Sequence, residues 1–142
     1  MSKRVVGDIM TTNVKFLDNS ASLLDAHNIT RDLGIRHIPV VDKETLEYLG
    51  VVSQKVMLSK IMNIVSTYGN NRLDRRESQV PIIDIMDSNN PTVGINTSLS
   101  LAANHFLDRK YGCLPVISDT NAVLGIVSSS DFVKLAIELL EE

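Results

Sequence analysis

Asp8-Ile9-Met10 and Pro39-Val40-Val41 return as Asp84-Ile85-Met86 and Pro115-Val116-Ile117, both at an offset of 76 positions. No gap is needed between them, and eleven of the thirty-four aligned positions from Asp8 to Val41 are identical. After a one-residue deletion the match resumes, with Leu49-Gly50-Val51-Val52-Ser53 facing Leu124-Gly125-Ile126-Val127-Ser128. A repeat of this length is one folding unit duplicated. Two such units are expected to stack about a pseudo-twofold axis and to form two equivalent pockets. Differences between the copies then indicate which pocket is used.

Each copy reads as β-α-β-β-α. A short turn of helix around Asp-Ile-Met precedes an extended piece, Val14-Lys15-Phe16-Leu17 or Thr92-Val93-Gly94-Ile95. A helix follows. In the second copy Thr97 or Ser98 can cap it, and Leu99, Ala102, Ala103 and Phe106 fall at i, i+3, i+4, i+7. The first copy has the weaker stripe Leu23, Ala26, His27 and Thr30, supplemented by Leu24, Ile29 and Leu33. Two β-branched runs around a polar turn then predict buried strands, 38–41 with 48–52 and 114–117 with 123–127. The missing residue falls in the turn, where length changes are tolerated. A closing helix is expected over about 54–66 and about 129–140. The repeats are therefore placed at 1–67 and 81–142, with 68–80 as a polar linker whose arginines are expected in a solvated loop.

Composition removes several function classes. A net charge of −3 leaves no basic stripe to neutralise phosphates, and tryptophan is absent, so no nucleic-acid partner is expected. The single cysteine, Cys113, allows no intrachain disulfide, which suits a reducing cytoplasm. The N-terminal residues reach Asp8 before any apolar run, unlike a signal peptide, and no stretch approaches a membrane span. No spacing of His, Cys, Asp and Glu suggests a metal site, and no nucleophile–base pair or glycine-rich phosphate loop is visible. A non-enzyme without a cofactor is expected.

The doubled, ordered set of motifs resembles the CBS-domain pair, or Bateman module, over nearly the whole chain. The residues that carry the likeness are the two Asp-Ile-Met openings, Arg36-His37-Ile38-Pro39-Val40-Val41-Asp42, Leu114-Pro115-Val116, and Gly125-Ile126-Val127-Ser128-Ser129-Ser130-Asp131. The resemblance implies a regulatory module that commonly binds adenosine-containing effectors such as AMP, ADP, ATP or S-adenosylmethionine. It also implies pairing through the repeats, and a partner enzyme or transporter. The module is expected to be stand-alone.

In that family the Asp of a Gly-apolar-apolar-Ser/Thr-x-x-Asp motif is the ribose ligand, and Asp131 matches it. A carboxylate suits two hydroxyls because it accepts several hydrogen bonds at once. The same spacing also fits a capping box, with Ser128 as N-cap and Asp131 at the third helical position. The two roles are compatible. The first copy has Val56 at the matching position, and a valine cannot accept a hydrogen bond. One pocket is thus expected to be competent and the other degenerate. The family builds each pocket across both repeats, which would set Asp131, Ser128 and Ile126 against Val14, Asn19, Ile35, Arg36 and His37. The apolar members would sandwich the adenine, and Arg36 and His37 would meet phosphates. Lys55 could add positive charge, although a solvated lysine is the plainer reading. The same strand-start positions in the second copy are Gly112 and Cys113, with no charge. Cys113 itself reads as a small buried hydrophobe.

The expected function is a sensor of an adenine nucleotide or S-adenosylmethionine-like ligand that signals to a partner. Two rivals remain: a ligand-free dimerisation scaffold, and an enzyme acting on nucleotides. The apolar outer helices around 56–64 and 132–140 predict a homodimer.

Overall fold

The computed structural model describes residues 3–108 and 111–141. By packing, the chain divides into two units that cut across the sequence repeats at 1–67 and 81–142. One unit comprises Lys15–Asn89, and the other joins Met1–Val14 to Asn90–Glu142.

In the unit Lys15–Asn89, β1 (Leu17–Asp18), β2 (His37–Val41) and β3 (Tyr48–Ser53) form a sheet in that order, with β1 parallel and β3 antiparallel to β2. Helix α1 (Leu23–Leu33) has clear punctuation. Ser22 and Asp25 form a capping box at its start, and Gly34, at φ +68°, ends it in the left-handed region. Leu23 and Ala26 face the core as the stripe predicts, whereas Leu33 lies on the exposed side. The β2–β3 turn is held by Asp42 Oδ1, which accepts from the amides of Glu44 and Thr45 at 2.9 Å each. Helix α2 (Gln54–Tyr68) starts where Ser53 Oγ accepts from the Val56 amide at 3.2 Å.

The expected linker loop is partly a helix. Helix α3 (Leu73–Ser78) packs on α1 and α2 because it carries Glu77, which is fully buried. A buried carboxylate needs a partner, and His27 Nδ1 lies 2.6 Å from Glu77 Oε1. His27 therefore closes the apolar stripe of α1 with a hydrogen-bonding contact to Glu77. The core of this unit contains Ile38, Val40, Val52, Met57 and Ile61. It is completed by Ile82 and Ile85, from the opening turn of the second repeat.

The unit joining Met1–Val14 to Asn90–Glu142 mirrors this plan. Helix α4 (Leu99–Leu107), capped by Ser98, precedes the antiparallel pair β4 (Cys113–Ile117) and β5 (Val123–Ser128), and α5 (Ser129–Leu140) follows. The first extended piece is reduced to a single parallel bridge between Val93 and Val116. Both hairpins carry an irregularity at the matching place, Val40/Val41 and Val116/Ile117. Here the core takes Val6, with Ile9 and Met10 packed against it, from the opening turn of the first repeat. Each Asp-Ile-Met segment thus completes the core of the other repeat. A β-α-β-β-α unit alone leaves one sheet edge and one side of its core open. The crossing segment fills both, as the bridges Thr11–Ile126 and Val51–Asp87 show.

Candidate ligand site

At the end of β5, Ser128 is extended and α5 begins, which places Asp131 in the first helical turn. Asp131 is 6% exposed. Its Oδ2 accepts from the Ser128 amide at 2.9 Å, and its Oδ1 accepts from the Thr11 hydroxyl at 3.1 Å. Thr11 is fixed in turn by two backbone hydrogen bonds with Ile126, of 2.9 and 3.0 Å. Ile126, Ser128 and Asp131 therefore converge, as the sequence predicts, and they do so around Thr11. A carboxylate offers about four lone-pair sites, so these protein bonds leave capacity for incoming hydroxyls. Asp131 borders a notch of about 140 Å³, walled by Met10, Lys134 and Leu135 and rimmed by the Lys3–Glu138 ion pair of 2.8 Å. Pockets for whole drug-sized ligands start near about 300 Å³. The notch is smaller than that. Val14 belongs to the same unit and is half-buried.

The remaining expected residues lie in the unit Lys15–Asn89. His37 pairs opposite Ser53, and the Arg36 carbonyl accepts from the Gln54 amide at 2.7 Å. Ile35, Arg36 and His37 are thereby brought to the head of α2, where Lys55 follows Gln54. Arg36 and Lys55 are exposed. Burial, and secondarily the Arg36 charge, lowers the His37 pKa below its ordinary 6.5. At neutral pH the imidazole is uncharged. The permanent cation beside it is the exposed Arg36. Asn19 is not brought to this group. Leu17 lies opposite Val40 and Asp18 opposite Val41, so Asn19 sits at the far end of β2 from His37. Four residues along a strand span about 13 Å. Its amide is also engaged, accepting from the Lys43 amide at 3.1 Å and donating weakly to Asp42 at 3.5 Å.

Sequence reading missed Thr11. The signal was the repeat offset itself, which aligns Thr11 with Asp87 as it aligns Asp131 with Val56 across the deletion. Where the helix carries the carboxylate, the crossing segment carries a hydroxyl. Where the helix carries exposed Val56, the crossing segment carries Asp87, which accepts from the Asn89 amide at 2.9 Å. A wider, open cleft of about 510 Å³ lies by Thr97, Ser118 and Asp119. It is at the turn end of the β4–β5 ladder, remote from Ser128, and contains none of the expected residues. Cys113 is buried, and desolvation pushes its thiol pKa up to about 12, so it stays protonated and is no nucleophile. Among the described residues, no three His, Cys, Asp or Glu side chains come together to hold a metal. No helix among them is long and apolar enough to cross a membrane.

Comparison with known proteins places this geometry in a family. A solved Vibrio cholerae structure, described as a candidate acetoin utilization protein (AcuB), is 32% identical to the chain. The match covers 96% of this chain and 93% of that one, with a TM-score of 0.77. CBSX2 of Arabidopsis thaliana, solved in complex with AMP, is 25% identical, covering 96% and 98%, with a TM-score of 0.79. A curated homoserine O-acetyltransferase of Methanobrevibacter ruminantium is 24% identical over 129 residues, or 91% of this chain. The chain spans only 23% of that protein's length, so the match concerns a part of it. The CBS-domain profile matches residues 6–63 and 82–138. With both repeats matched over most of its length, the chain belongs to the CBS-domain family as a tandem pair.

Proposed function

We propose that this chain is a regulatory, non-catalytic module that binds an adenosine-containing effector and signals its occupancy to a partner enzyme or transporter. The carrying observation is Asp131. It is a buried carboxylate at a helix head, held by Ser128 and Thr11 on the edge of the notch. The AMP complex of CBSX2, similar over nearly all of both chains, supports AMP as the first ligand to test. ADP, ATP and S-adenosylmethionine share the ribose that Asp131 would grip. Signalling would be a population shift, in which the ligand favours an arrangement that the partner binds differently.

Calorimetric titration with these four ligands tests the reading. Val56 removes the helix-borne acceptor from one repeat, so one ligand per chain is expected. Two comparable sites per chain would show that the valine-bearing repeat anchors ribose by another group. The absence of binding by all four would leave the alternative, a ligand-free dimerisation scaffold.

One observation favours self-association under either reading. Helix α5 leaves Val133, Ile137 and Leu140 exposed at i, i+4 and i+7, and α2 leaves Leu58 and Met62 exposed at i and i+4. Apolar stripes on outer helices are commonly covered by a partner, and a twofold contact lets one stripe cover its own copy. Sedimentation is expected to give twice the 15.7 kDa chain mass at micromolar concentration. Substituting Ile137 with Glu should shift the species towards monomer. A wild-type protein that sediments only as monomer contradicts the assembly.

A further inference from the structure

Arg72, Arg75, Arg76 and Gln79 wall a cleft of about 210 Å³ at helix α3. Arg75 and Arg76 lie within the helix, and Arg72 and Gln79 flank it as its N-cap and C-cap residues. Like charges so placed repel, and helices usually intersperse carboxylates to relieve this. Asp74 and Glu77 belong to the same helix, but Glu77 is buried with its Oε1 against His27. Among the described residues, none of the three arginines forms an ion pair with a carboxylate. Arg72 also holds the left-handed conformation, at φ +56°, which a side-chain-bearing residue adopts only at a cost.

Arg76 is the most constrained of the group. Its guanidinium stacks on the Tyr68 ring at 3.6 Å from the centroid, which fixes the plane of its donors. Its Nε is buried without a hydrogen-bond partner. A buried N–H left unpaired is unfavourable and marks a site that lacks an acceptor. Every residue lining the cleft has a side-chain N–H donor, and three are permanent cations. Its volume is below the about 300 Å³ of drug-sized pockets, yet it suits a compact oxyanion. Forked guanidinium donors match tetrahedral phosphate oxygens.

We propose that this arginine cleft binds a phosphoryl group, as free pyrophosphate or as the phosphate tail of a nucleotide. The site is independent of the Asp131 reading, since all its residues lie on and beside α3. The test is calorimetric titration of the full chain with inorganic pyrophosphate at low ionic strength, because salt screens exposed arginines. Binding is expected in the wild type. Arg75→Gln, at an exposed side chain, should weaken it about tenfold or more, and Arg75→Gln combined with Arg76→Gln should abolish it. Asp131→Asn should leave it unchanged. Displacement of pyrophosphate by ATP but not by adenosine supports the nucleotide tail as source, and no displacement by ATP supports the free anion. The proposal fails if the wild type does not bind millimolar pyrophosphate. It also fails if Arg75→Gln binds as tightly as the wild type, or if Asp131→Asn removes pyrophosphate binding.

Discussion

Asp131→Asn should abolish most of the thermal stabilisation that AMP gives, while leaving the ligand-free protein nearly as stable as the wild type. The two halves of this expectation come from the two jobs of one carboxylate. As a helix-start acceptor, Asp131 takes the Ser128 amide at 2.9 Å. Asparagine keeps one carbonyl oxygen for that bond, and the Thr11 hydroxyl, now 3.1 Å from Oδ1, can rotate to accept from the new amide. The structural cost should stay within about 1 kcal/mol. As a ribose acceptor, the charged form matters more. Hydrogen bonds to a charged group contribute about 1.5–3 kcal/mol, or about ten- to a hundredfold in dissociation constant. A ligand at about a hundred times its dissociation constant stabilises the wild type by about 2.7 kcal/mol. The variant at the same concentration should show a small fraction of that shift. Melting curves of both proteins, with and without AMP, separate the roles. If the variant melts far lower without ligand yet keeps the full AMP shift, Asp131 is a cap and not the ribose anchor.

The residues that local chemistry governs were legible in the sequence. A cap at Thr97 or Ser98 (it is Ser98), the strands on either side of Asp42 and of Ser118, and the Ser128–Asp131 spacing all follow from side chains acting on neighbours within a few positions. What depended on distant segments was not legible. Leu33 extends the α1 pattern on paper, but it is exposed, and α3 packs on this helix through Glu77 and His27. The polarity of 68–80 suggested a loop because a buried carboxylate looks, in sequence, like a solvated one. The apolar turn Ile82–Asp84 looked like the start of the second repeat, and it is that in sequence, yet Ile82 fills the core that contains Ile38 and Val52. Asn19 matched an expected ligand position by alignment, but parallel pairing of β1 with β2 carries it to the turn.

The exchange of opening segments explains a residue that the repeat displayed without a reason, the glycine of Leu-Gly-Val/Ile-Val-Ser. At Gly125 a Cβ would lie 2.7 Å from the Thr11 carbonyl oxygen and 2.9 Å from Met10 Sδ. At Gly50 it would lie 2.9 Å from the Asp87 carbonyl oxygen. Both oxygens belong to the crossing backbone, which is itself tied down. The Thr11 oxygen accepts from Ile126 at 3.0 Å while the Thr11 amide donates back at 2.9 Å. The methyl of Gly125→Ala can be accommodated only by moving that backbone, which breaks the bridge and draws Thr11 from Asp131. Overpacking costs about 1–3 kcal/mol, and two lost hydrogen bonds add about 0.5–1.5 kcal/mol each. A destabilisation of about 2–6 kcal/mol is therefore expected in urea unfolding, together with weakened AMP binding in whatever protein remains folded. Gly94→Ala is the control. Its Cβ would have Thr97 Oγ1 as nearest atom, at 3.8 Å, so its effect should stay within about 1 kcal/mol. If Gly125→Ala unfolds at the same urea concentration as Gly94→Ala, the crossing segment is free to yield, and the exchange does not hold the unit together.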